Sequence, residues 1–288
     1  MSKFSERFGF TAARTALQVT GIDDGLRNRL WNLISAHFFE NAPPYRGATN
    51  DWLPADKDVY LTFVNLWHNH LKRTTDTIGN SYFNALESLR EYFLRCNWYE
   101  VYDLVEFLAL HNTFSTNQRK QFVDSVNKIL KEEMSGYRFV SDQIAQITSE
   151  QEIVAIEEAL SLGDSLKAVR EHLAQALKHL SDRKNPDYRN SIKESISAIE
   201  GLSKIISGLS TATLGPALNA VDKTAKLHPS LKEGFNKLYG YTSDAQGIRH
   251  ALMDESTLDF EDAKFMLVSC SAFVNYLIVK SQKAGIRI

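Results

Sequence analysis

Apolar residues recur at three- and four-residue intervals along almost the whole chain, and Gly and Pro are few, 14 and 6 of 288 residues. That spacing lays the apolar side chains on one face of a helix, so the fold class is all-α. In the first half the period predicts helices over 23–39 (DDGLRNRLWNLISAHFF), 56–75 and 81–95, the last with Phe83, Leu86, Leu89 and Phe93 on one buried stripe. Between the first two, NAPPYRGATNDWLP carries a proline pair and Gly, Asn and Asp, which make a loop. A further helix pair follows in WYEVYDLVEFLALHNTF and NQRKQFVDSVNKILKEEMSGY. The period then changes. YRFVSDQIAQIT, residues 137–148, alternates in short pieces of β-branched and aromatic residues around Ser141-Asp142, and predicts a small two-stranded β-hairpin.

Ser149 and Glu152 have capping-box spacing, so a helix starts there and runs to about residue 180. In the next helix Asn185 is placed to cap and Pro186 to take the first helical position, where its missing N–H costs nothing. Ile192, Ile196, Ile199, Leu202 and Ile206 then form its buried stripe. After residue 260 the pattern repeats with Ala263, Met266, Leu267, Cys270, Phe273, Val274 and Leu277, and Asp259 is the expected cap. These are bundle helices. All 4 Trp residues lie before position 99, while the second half is built on Leu, Ile, Ala and Ser. That shift places a boundary near 148 and predicts two helical domains, 1–148 and 149–288.

With 43% hydrophobic residues the chain has enough apolar material for two cores, and a net charge of −2 excludes a globally basic nucleic-acid coat. Any nucleic-acid site must be local. MSKFSERFGF has no apolar signal core, and the longest apolar run, FMLVSCSAFVNYLIV (residues 265–279), is shorter than the ~20 residues a bilayer needs and contains Asn275. It reads as a buried helix, with no membrane partner. Two cysteines, Cys96 and Cys270, give neither a disulfide framework nor zinc spacing, which suits a cytoplasmic protein with reduced thiols. No Gly-rich phosphate loop, nucleophile elbow or Ser/His/Asp order is present, and no cofactor is expected. His68-Asn69-His70 sets its two imidazoles on different helix faces, so no metal is expected there. His172 and His179, seven apart, share a helix face as surface or interface residues.

The phrases FSERFGF, LRNRLWNLI, WYEVYDLVEF and SGYRFV resemble the fourth type of N-terminal domain found in AbiJ-like abortive-infection proteins of bacteria. LSDRKNPDYRNSIKESISAIE, HPSLKEGFNKLYGYTSDAQGIRHAL and FEDAKFMLVSCSAFVNYL are similar to the HEPN-type helical module that accompanies such domains. Together they cover nearly the whole chain. The resemblance implies an antiphage effector set off by a phage or host trigger. It also implies a C-terminal bundle that forms a homodimer and acts on RNA as a metal-independent endoribonuclease. Active members of that group carry an Arg, usually followed by a polar residue, with a His after four to six intervening positions. The guanidinium holds the phosphate and the imidazole moves the proton of the ribose 2′-hydroxyl.

No histidine of this chain stands at that distance from an arginine. After Arg189-Asn190 the histidine positions hold Glu194, Ser195 and Ile196; after Arg249-His250 they hold Asp254, Glu255 and Ser256. The candidate catalytic residues are Arg249, His250 and Arg189, with Arg183, Lys184, Asn190 and Lys193 as candidate phosphate or RNA contacts. Two alternatives stay open. One is an effector that binds or cleaves RNA; the other is a non-enzymatic regulatory or interaction module that keeps a degenerate HEPN bundle for dimerisation.

Overall fold

Side-chain caps fix where the helices begin, because the first N–H groups of a helix have no partner within it. The computed structural model describes residues 4–8, 10, 16–39, 57–110, 115–182, 185–211, 214–243, 258–286 and 288. It divides into two compact units, Met1–Ile144 and Ala145–Ile288. In the first, a single turn, α1 (Phe4–Arg7), precedes α2 (Asp24–Ile34), where Asp23 accepts the Leu26 N–H at 2.9 Å. Then come α3 (Lys57–Asn65), α4 (Tyr82–Arg95) behind Ser81, α5 (Trp98–Ala109) and α6 (Thr116–Glu132). Reciprocal capping boxes, Asn97 with Glu100 and Ser115 with Gln118, open α5 and α6. Both α2 and α3 run on into a π-helical turn, Ser35–Phe39 and Leu66–His70.

The core of this unit is rich in large rings: Phe39, Phe63, Trp67, Phe93, Phe122 and Phe139 are all essentially inaccessible. Of the stripe expected on α4, Leu89 and Phe93 are buried and Leu86 is half-buried against the core, but Phe83 is not. Phe83 is 54% exposed, and Ala85, Leu89 and Phe93 are the buried positions. Gly79 explains part of the local geometry, since a Cβ there would stand 2.5 Å from the Cβ of Asn84 and 2.8 Å from its carbonyl carbon. The expected hairpin forms, with β1 (Arg138–Val140) and β2 (Gln143–Ala145) joined through Ser141 at φ 56°. Asn127 on α6 brackets β1, donating to the Phe139 carbonyl at 3.1 Å and accepting the Phe139 N–H at 2.8 Å.

The second unit contains α7 (Glu150–Leu160), α8 (Lys167–Ser181), α9 (Tyr188–Ser207), α10 (Leu214–Ala225), α11 (Pro229–Ser243) and α12 (Phe260–Lys283). Ser149 caps α7 as its position foretells, accepting the Glu152 N–H. The single helix expected from 149 to about 180 is two helices, broken at Leu162-Gly163 and restarted by a 3-10 turn at Asp164–Leu166. Arg170 reaches back to the Leu162 carbonyl at 2.8 Å and so pins the break. The cap of α9 is Asp187, not Asn185. Helical geometry starts two residues beyond Pro186, and the Asn185 N–H is itself taken by Asp182 at 3.0 Å.

α9 packs most extensively on α8 and α12, and its buried face holds Ser191, Ser195 and Ser203 beside Ile192, Ile196, Ile199 and Leu202. Asp259 and Asp262 form the capping box of α12. That helix is 24 residues long, extends beyond the apolar run at both ends, and by length and composition alone is fit to cross a bilayer. In the fold its Ala263, Met266, Leu267, Cys270, Val274 and Leu277 are buried, and Asn275 donates to the Ala155 carbonyl on α7 at 3.0 Å.

Candidate functional site

The α8–α9 hairpin brings together most of the described polar residues that the sequence singles out. The Asp187 N–H donates to the His179 carbonyl at 3.3 Å, which closes the loop between the two helices. Its carboxylate then takes both donors of Asn190, the backbone N–H at 2.9 Å and the side-chain amide at 2.6 Å. Asn190, expected to contact phosphate, is therefore engaged as part of the helix cap. One turn on, the Ser191 hydroxyl donates across the interface to the Ala176 carbonyl at 2.8 Å, and Ser195 donates back to Ser191 at 2.8 Å. Small side chains at 191 and 195 let the two helices approach closely, with their hydroxyls satisfied by main-chain carbonyls.

Beside these serines, Glu194 meets a histidine. The Nδ1 of His172 lies 2.6 Å from Oε2 of Glu194, with side-chain exposures of 41% and 23%. The pair sits at the edge of the bundle. A carboxylate at that distance accepts a hydrogen bond from Nδ1–H, orients the ring and leaves Nε2 as the working nitrogen, an acceptor when the ring is neutral and a donor when it is charged. Nε2 has no protein partner among the described residues. This is the second and third member of a nucleophile–base–orienter arrangement without a protein nucleophile, which is what a proton shuttle acting on a substrate hydroxyl requires.

Arg189 lies in the first turn of α9, half-exposed, five residues before Glu194 and hence roughly 7.5 Å along the axis from it. Lys193 is exposed beside Glu194. Arg249 and His250 lie outside the described residues, as do Arg183 and Lys184. The described chain thus joins Arg189, Asn190, Lys193 and Glu194 on one helix start. It adds His172, which sequence reasoning had assigned to a surface or interface role. His172 stands nine residues before the end of α8 and Glu194 six after the start of α9, so no symmetric spacing about the loop marks the pair, and only the packing of the two helices brings them together. Among the described residues no group of three or more His, Cys, Asp or Glu is arranged to hold a metal ion. His68 is exposed, while His70 turns inward against Phe107 with ring centroids 5.0 Å apart.

A ring-packed helical unit with a small hairpin, followed by a helical bundle that carries a histidine–carboxylate pair, defines a two-unit all-helical protein. The model of the AbiJ N-terminal domain 4 family matches residues 2–162, more than half of the chain and reaching through α7 into the second unit. The chain belongs to that family and is an abortive-infection-associated protein. No curated protein and no solved structure matches it.

Proposed function

We propose that this protein is an antiphage effector in which the N-terminal unit senses or regulates, and the C-terminal unit is a HEPN-like bundle that dimerises and binds or cleaves RNA without a metal. The family supports the antiphage setting. The observation that carries the RNA reading is the His172–Glu194 pair at 2.6 Å. Glu194 stands where the HEPN pattern puts its histidine after Arg189, and the imidazole comes to it from the neighbouring helix. A ring held by a carboxylate is equipped to take the 2′-hydroxyl proton and return it to the leaving 5′-oxygen, and a guanidinium at Arg189 or Arg249 would hold the phosphate as its charge grows. His250 remains the second candidate for the proton transfer.

The non-enzymatic alternative draws on a specific feature, the absence of a histidine at the motif position itself. The test is incubation of the purified full chain with labelled tRNA and mRNA in EDTA. Cleavage that persists in chelator supports the endoribonuclease. Intact RNA, bound or unbound, leaves a binding or interaction module.

A further inference from the structure

We infer that the first unit carries a ligand site of its own, an open surface depression of about 490 Å³ lined by the exposed residues His68, Lys72, Arg73, Thr74, Thr75 and Asp76, which takes the phosphate group of a small phosphorylated molecule of mononucleotide size. The chemistry of the lining selects the ligand. Two cations outnumber one carboxylate, Asp76, and two threonine hydroxyls and an imidazole supply further donors. Cations with hydroxyls around one depression are the donor set of a phosphate site, and its open side leaves the rest of the ligand in solvent. A long RNA strand needs an extended basic groove, whereas all of these donors come from a single stretch of nine residues.

The backbone holds those donors in place. The π turn Leu66–His70 ends with the Leu71 N–H on the Leu66 carbonyl at 2.8 Å and the Arg73 N–H on the Trp67 carbonyl at 2.9 Å. On the other side, buried Trp67 donates its indole N–H to the Thr77 hydroxyl at 3.1 Å, and that hydroxyl donates to the Thr74 carbonyl at 2.7 Å. The Arg73 guanidinium is steadied over the Tyr92 ring, 5.4 Å from its centroid.

Lys72 is the informative residue. It occupies the left-handed region at φ 53°, just past the helix end, a position where glycine is ordinarily favoured because a Cβ is strained there. Met134 and Lys226 take the same conformation just past α6 and α10, so the backbone alone does not mark a site; at Lys72 it coincides with a place in the lining of the depression.

That strain supplies a discriminating variant. Lys72→Gly removes the ammonium and relieves the backbone, so a purely structural residue would be improved by the change. Isothermal titration of the full chain, in a phosphate-free buffer, compares inorganic phosphate, AMP and adenosine on the wild type and on Lys72→Gly. The account expects phosphate and AMP to bind and adenosine not to. It expects Lys72→Gly to weaken AMP by about tenfold or more, the loss of one charge-assisted contact, while melting no lower than the wild type without ligand. No binding of phosphate or AMP at millimolar concentration would overturn it, as would equal binding of adenosine, or AMP affinity unchanged by Lys72→Gly. A single-stranded RNA that bound more tightly than AMP and lost that advantage in Lys72→Gly would overturn the small-molecule assignment. RNA cleavage by the second unit plays no part in the readout, so the two proposals stand or fall separately.

Discussion

His70 closes the π turn with its ring against Phe107, and burial, opposed in part by nearby Glu100 and aided by Lys72, holds its pKa below the ordinary 6.5. The folded state therefore prefers the neutral ring. The unfolded chain binds the proton first, so the contribution of His70 to stability is full above about pH 6.5 and is lost as pH falls through that value toward the folded pKa. Asp103 and Glu106 on α5 run the other way: burial raises both, and they favour the folded state as acid protonates them. The comparison must consequently be made at His70 itself. Melting curves from pH 7.5 to 5.5 should show a smaller loss of stability in His70→Gln than in the wild type, and an identical slope in both would contradict the assignment. The wedging of this imidazole against Phe107 was not legible in the sequence, where His68-Asn69-His70 gave only the alternation of faces. Phe83 was misjudged for a related reason. The stripe 83, 86, 89, 93 is periodic, but so is 82, 85, 89, 93, and only the neighbouring helices decide which is buried.

At the scale of elements, the caps were the most readable signals, because a cap is a local contact between a side chain and the N–H groups two or three residues on. Ser149 and Asp259 stand where their spacing put them. Asn185-Pro186 misled because the same local chemistry was available to Asp187, whose carboxylate alone gains both Asn190 donors. Leu162-Gly163 broke a helix that the apolar pattern carried through without a mark. α10 and α11 were not set apart as elements either, although the sequence of α11 contributed to the family resemblance. Asp187→Ala should release the first turn of α9, which carries Arg189 and Asn190. The expected cost is about 1 kcal/mol, or a few degrees in Tm. An unchanged Tm would show that the loop, closed through His179, holds the helix start without the carboxylate.

For the whole molecule, the family match names the biological setting, and the histidine–carboxylate pair is the feature on which the proposed RNA chemistry rests. A homodimer through the second unit belongs to the same proposal. Phe265 and Val279 on α12 and Val154 on α7 are 58%, 48% and 50% exposed, apolar area that a second copy would cover. Light scattering at tens of micromolar should give twice the monomer mass of 32.6 kDa, and Phe265→Glu should return the monomer; a wild type that runs at 32.6 kDa would refute the dimer. Of the proposed site, the sequence offered Arg189, while Glu194 marked only the place where the motif histidine is missing and His172 read as a surface or interface residue. The pairing of His172 with Glu194 depends on the packing of two helices. The most direct test is the single-turnover cleavage rate of labelled RNA in EDTA by the wild type and by His172→Ala. The account predicts a fall of about 10² to 10⁴, the usual worth of a general acid or base, with little change in Tm because His172 lies at the bundle's edge. Cleavage at the wild-type rate by His172→Ala would contradict it.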